Sequence, residues 1–217
     1  MYLDTACLKD INECLKTGVF QGVTTNPTIL LQEEKNRTEQ IKDILQTDAK
    51  ILFVQLIGST VDELLEDYEE LMKIETDKVI GFKISMDFVG LEAVSKIKAK
   101  NSEALILGTA IYSADQGILA ALAGCDWVAP YVNRMLNNHI DPFDAIAKMR
   151  LFYDDRDLDC KILAASFKNT TQILDALESG SHSVTIPPDL FHQMIGKELA
   201  ENAIRVFNQH GKDLEKY

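Results

Sequence analysis

Metal-ligand spacing is missing from this chain. Its four cysteines, Cys7, Cys14, Cys125 and Cys160, make no CxxC pair, and the four histidines, His139, His182, His192 and His210, are scattered. Both absences argue against a structural zinc site and a disulfide framework, and no metal is expected. No run of about 18 apolar residues is present to span a bilayer. The amino terminus has no basic segment followed by an apolar stretch, so the expected location is cytoplasmic. Low-complexity tracts and long linkers are also lacking, and prolines number only five. The 217 residues are therefore read as one domain, residues 1–217, with a sizeable core. Positive charge is scarce as well: 22 Lys and Arg face 34 Asp and Glu, a formal charge of −12. Such a field repels polyanions, so neither nucleic acid nor an anionic membrane is an expected partner, and a small anion needs a local cationic cluster.

What is present alternates. Residues 2–5 read as a strand and 7–17 as a helix with apolar positions 8, 11 and 15. A second strand at 21–25 runs into Asn26-Pro27, with proline placed to open a helix that is broken near Asn36. Strands follow at 50–57, 79–85, 104–109, 126–132, 161–165 and 183–186, each succeeded by helical periodicity, with Ser113-Ala-Asp-Gln116 reading as a capping box. Eight strand–helix units, with an extra C-terminal helix at about 197–217, predict an α/β fold of the (β/α)8 TIM-barrel class. An open doubly wound sheet is the alternative, but no GxGxxG follows any strand.

One cation interrupts the apolar strand 79–85. Lys83 either reaches water along its stem or sits in a pocket whose desolvation lowers its pKa. The difference is chemical, because at an ordinary pKa of about 10.4 a lysine is almost wholly ammonium at neutral pH. Only the amine attacks a carbonyl.

In a barrel the carboxyl ends of the strands converge on one face, where the chemistry is done. The polar residues predicted there are Asp4, Thr25, Asn26, Gln55, Lys83, Thr109, Tyr131, Asn133, Arg134, Ser166 and Lys168. Each has a bland reading: Asp4, Asn26 and Ser166 as helix caps, Gln55 and Tyr131 as satisfied core groups, Arg134 and Lys168 as solvated loop cations. Together they divide the work of a Schiff-base reaction. Lys83 is the nucleophile toward a ketone, Asp4 and Tyr131 carry protons, and Gln55 and Thr109 hold a water. Asn26, with Thr25, orients substrate hydroxyls. Arg134, Ser166 and Lys168 form the cationic cluster for a phosphate.

Four stretches, Gly22-Val-Thr-Thr-Asn-Pro27, Leu107-Gly-Thr-Ala110 with Gln116-Gly117, Val128-Ala-Pro-Tyr-Val-Asn-Arg134 and Ile162-Leu-Ala-Ala-Ser-Phe-Lys168, resemble the transaldolase family, most closely its fructose-6-phosphate aldolase-like branch. The resemblance implies a metal-independent class I aldolase without cofactor, with Lys83 as Schiff-base lysine. Sugar phosphate and dihydroxyacetone are the implied small-molecule partners. A homo-oligomer, pentamer or decamer, in which the C-terminal helix reaches a neighbour, is implied too.

Within the family, similar-sized transaldolases carry Glu at the position of Gln55 and Phe at that of Tyr131. An amide cannot take a proton and a phenol can supply one, so Gln55 with Tyr131 predicts protonation of the enamine and release of dihydroxyacetone. Transfer of the dihydroxyacetone unit between sugar phosphates is the alternative. Ser85 and Asp87 stand where the family usually has Pro and Thr. An Asp87 turned inward would hold Lys83 as ammonium and oppose the reaction.

Overall fold

In the computed structural model, which describes residues 1–217, eight parallel strands close into a barrel in chain order. β1 (Tyr2–Asp4) precedes α1 (Leu8–Leu15), and β2 (Gly22–Thr24) precedes α2 (Pro27–Gln32) and α3 (Arg37–Leu45). Then come β3 (Ile51–Gln55) with α4 (Val61–Met72), β4 (Val79–Ser85) with α5 (Phe88–Lys100), and β5 (Ile106–Ile111) with α6 (Ala114–Leu122). β6 (Trp127–Pro130) leads into α7 (Val132–Asn137) and α8 (Pro142–Asp155), β7 (Lys161–Ala164) into α9 (Thr170–Glu178), and β8 (Ser183–Ile186) into α10 (Pro188–Ile195) and α11 (Glu198–Leu214). The fold is a (β/α)8 TIM barrel. No helix is long and apolar enough to cross a membrane.

Two apolar layers follow from the period-2 alternation of the strands. One set of residues, including Val23, Leu52, Ile84 and Val128, packs outward against helix residues such as Ile41, Leu64 and Val94. The other set, Tyr2, Phe53, Leu107, Ala129 and Leu163, fills the barrel interior. The ring of Tyr2 meets Phe53 at 5.6 Å and Trp127 at 6.0 Å, both edge-on. At Gly81 a Cβ would lie 2.4 Å from the Phe53 ring, so only glycine lets this ring cross the interior at that level. Counting by two from these plug residues puts Asp4, Gln55, Lys83, Ser85, Thr109 and Tyr131 on the inward face toward the carboxyl ends. The site is built on top of the plug.

Local details add to the sequence-based expectation. β6 ends at Pro130, and the continuous apolar run hides a short helix, α7, that Tyr131 opens. Asn133 and Arg134 therefore project from a helix, not from a strand end. α5 begins at Phe88, directly after β4, because the Asp87 side chain accepts from the Gly90 amide at 2.8 Å. The segment at Ser113 is only half a capping box: Ser113 accepts from the Gln116 amide, but Gln116 turns its own oxygen to Tyr112 N. A complete box occurs at α4, where Thr60 and Glu63 cap each other's backbone.

α11 has no buried residue; Leu199 is 86% exposed and Phe207 69%. Its apolar side chains do not join the barrel core.

Candidate active site

Lys83 is buried, 4% exposed, and its Nζ donates to the Thr25 carbonyl at 2.8 Å. The pocket alternative for this lysine holds. Burial pushes its pKa below the ordinary lysine value, and the negative charge of Asp4 partly opposes that shift. Asp4 moves the other way: burial raises its carboxyl, while Lys83, the Thr24 hydroxyl and Arg134 restrain the rise. Desolvation thus drives both groups toward their neutral forms. A neutral amine beside a carboxyl that can carry a proton is what imine chemistry calls for.

Asp4 is held from β2. Thr24 Oγ1 donates to Asp4 Oδ1 at 2.6 Å and lies 2.6 Å from Thr185 Oγ1. With its single proton given to the carboxylate, Thr24 must accept from Thr185. The chain Thr185, Thr24, Asp4 fixes the carboxyl from three strands, and neither threonine figured among the expected site residues. Both sit in the inward register of β2 and β8, and that was the available signal.

Across the mouth, Thr109 Oγ1 and the Tyr131 hydroxyl are 2.8 Å apart. Burial raises the Tyr131 pKa, so the phenol keeps its proton and remains a donor. Arg134 lies 4.9 Å over the Tyr131 ring and reaches the Tyr112 hydroxyl at 3.4 Å, while the two tyrosine rings pack edge-on. This aromatic shelf holds Arg134 at the rim. Neither Arg134 nor Lys168 belongs to an ion pair, so both charges are free for an anion.

Ser166 is half-buried with φ 62°, a left-handed backbone that a serine adopts at a cost, and its carbonyl accepts from Asn133 N at 2.7 Å. Gln172 braces this corner by accepting from Lys168 N at 2.7 Å and donating to Asn133 Oδ1 at 3.2 Å. Gln116 does the same on the opposite side, joining Tyr112 N at 2.8 Å to the carbonyls of Met86 and Ala110 at 2.5 and 3.1 Å. Ala110, beside Thr109, has φ 56°. Each glutamine is the third residue of its helix and reaches one residue past the N-cap. That offset is why a capping-box reading found the residue and mistook its partner.

Gln55 is half-buried at the end of β3, and its Nε2 donates to Ser85 Oγ at 3.3 Å. Its carbonyl accepts from Arg37, whose guanidinium grips Asp67 through both nitrogens at 2.6 and 2.8 Å. Asp67 in turn accepts from Ile57 N at 2.9 Å. This clamp spans the strand end that carries Gln55.

Two expectations change. Thr25 is fully buried with its hydroxyl committed to the Phe53 carbonyl at 3.1 Å, so it meets Lys83 through its backbone and offers no side chain to a substrate. Asp87 is exposed and caps α5, so Asp4 is the carboxylate whose charge acts on Lys83. Asn26 realises its bland reading as the cap of α2, accepting from Ile29 N at 3.0 Å, and this leaves its amide nitrogen to donate.

Comparison with known proteins follows the same line. A family model described as Transaldolase/Fructose-6-phosphate aldolase matches residues 1–216. A protein named "Probable transaldolase" from Symbiobacterium thermophilum is 31% identical over 95% of this chain and 94% of its own length. One named "Probable fructose-6-phosphate aldolase" from Streptococcus pneumoniae is 35% identical over 95% and 93%. Among solved structures, a flavocytochrome b2 variant with sulfite bound superposes with a TM-score of 0.62 at 16% identity, covering 95% of this chain and 62% of that one, a likeness of fold alone. The chain belongs to the transaldolase/fructose-6-phosphate aldolase family.

Proposed function

We propose that the protein is a class I aldolase that cleaves fructose 6-phosphate reversibly to dihydroxyacetone and glyceraldehyde 3-phosphate. The observation that carries this reading is the desolvated Lys83, within the field of the Asp4 carboxylate and one inward position below the Thr109 and Tyr131 level. The amine of Lys83 adds to the C2 carbonyl, the carbonyl oxygen takes up a proton, and loss of water gives an iminium. A base removes the C4 hydroxyl proton, the C3–C4 bond breaks, and its electron pair passes into the iminium to form an enamine. Glyceraldehyde 3-phosphate leaves. Protonation of the enamine carbon and hydrolysis of the imine then release dihydroxyacetone and restore the amine.

Asp4 and Tyr131 carry these protons, and Thr109 and Gln55 hold the water. Asn26 donates to substrate hydroxyls, and Arg134, Ser166 and Lys168 take the phosphate at the end of the mouth beside β6 and β7. Gln55 favours cleavage over transfer, since an amide cannot accept the proton that a carboxylate could. The relatives carry both names, and transfer of the dihydroxyacetone unit is the second reading. Fructose 6-phosphate turnover with and without erythrose 4-phosphate separates the two. An aldolase consumes the ketose without acceptor, and a transferase idles. We also read α11, whose Leu199, Val206 and Phe207 are exposed, as the contact by which subunits assemble.

A further inference from the structure

Ser85 faces the mouth and has no part in the chemistry above, and its neighbours are specific. It lies two residues beyond Lys83 on β4, so both side chains share the inner face. Its hydroxyl accepts from Gln55 Nε2, and Ser85 and Thr109 are register partners between β4 and β5. Thr109 is itself bonded to Tyr131. Gln55, Ser85 and Thr109 on β3, β4 and β5 and Tyr131 just past β6 therefore form an arc, with Lys83 one inward position before Ser85 and paired in register with Gln55.

We propose that Ser85 is a positioning residue that joins Gln55 to Thr109 and Tyr131 through one water at the barrel mouth, and so orients the water that protonates the enamine on Lys83. The inference rests on the aldolase reading and adds a residue to it. Hydrogen-bond direction supports it. Gln55 gives its N–H to Ser85 Oγ, which leaves the serine's own proton pointing away, free to donate to a water. On its other side such a water would meet the hydroxyls of Thr109 and Tyr131. In the step itself one water proton passes to the enamine carbon, the enamine electrons form the new C–H bond, and the iminium returns. The hydroxide equivalent is reprotonated along the arc from Tyr131, which regains its proton from solvent. Ser85 is exposed, as a group in contact with incoming water must be.

The test separates carbon protonation from imine formation. Parent, Ser85→Ala and Ser85→Thr proteins are incubated with dihydroxyacetone in D2O, and exchange of its carbon-bound hydrogen is followed by NMR; borohydride trapping at Lys83 is measured in parallel. We expect Ser85→Ala to slow exchange about tenfold, near 1.4 kcal/mol of barrel-mouth positioning, with trapping unchanged. Ser85→Thr restores exchange because the hydroxyl returns. Exchange within twofold of the parent in Ser85→Ala overturns the proposal, as does a fall in trapping that matches the fall in exchange. A parent protein with no adduct at Lys83 removes the aldolase reading itself, and the role of Ser85 falls with it. An adduct in the parent with undisturbed exchange in Ser85→Ala removes only the role of Ser85.

Discussion

Asp4 is the carboxylate whose field reaches Lys83, although Asp87 lies only four residues from that lysine in the chain. Strand β1 closes the barrel beside β2 and β8 and brings Asp4 inward, while Asp87 is spent on the first turn of α5. The pair sets the pH behaviour of the proposed reaction. Asp4 raises the Lys83 pKa and burial lowers it, with burial the larger effect, so the reactive amine appears on the acidic side of an ordinary lysine's titration. In Asp4→Asn the charge that favours ammonium is gone and the Lys83 pKa drops further. The acidic limb of the pH–rate profile then moves to lower pH, and the maximal rate falls about 10²-fold with the loss of a proton carrier. Rates of imine formation against pH check both effects.

The Tyr131 hydroxyl, kept protonated by burial, is expected to supply the proton that ends a cleavage cycle. Tyr131→Phe should lower cleavage of fructose 6-phosphate about 10²-fold and leave borohydride trapping at Lys83 in place. Combining it with Gln55→Glu should raise the ratio of transfer to cleavage, measured with and without erythrose 4-phosphate. An unchanged ratio would separate these two residues from the choice between the activities.

The clamp between Arg37 and Asp67 links α3 and α4 to the end of β3 with both partners mostly shielded, 25% and 17% exposed at their side chains. Removing one member leaves the other charge unpaired. Asp67→Ala should cost about 2 kcal/mol, less than a fully buried pair because water still reaches this one. For a chain of this length that is a fall in Tm of roughly 4–8 °C, readable by calorimetry.

Acid should loosen the barrel near its amino-terminal end. His182 Nδ1 accepts from Ile162 N at 3.0 Å, which requires a neutral ring, and its pKa is lowered by burial first and then by Arg150, with Asp154 opposing. The unfolded chain therefore binds the proton more readily. The contribution is complete above an unfolded pKa of about 6.5 and is lost as pH falls through the lower folded value. In His182→Asn, which retains an acceptor that does not titrate, denaturant midpoints between pH 6.5 and 5 should vary less than in the parent.

How far the sequence leads can be read from these residues. Strand–helix alternation predicts the barrel, and it puts Asp4, Lys83, Thr109 and Tyr131 near the carboxyl ends of its strands. Val128 to Val132 is apolar throughout, and such a run does not distinguish a strand from the start of a buried helix, so α7 is not legible there. The Thr24 and Thr185 link to Asp4 and the clamp from Arg37 to Asp67 join residues 20 to 161 positions apart, or 30 in the clamp. Only closure of the barrel brings them together. Asp87 shows the converse: proximity in sequence suggested a contact with Lys83, and the local demand for a helix cap took the side chain elsewhere.

The central claim is a covalent one. Protein incubated with dihydroxyacetone and borohydride, then digested for peptide mass spectrometry, should carry a reduced three-carbon adduct on Lys83, and Lys83→Met should carry none. An unmodified Lys83, or an adduct retained in Lys83→Met, would contradict it.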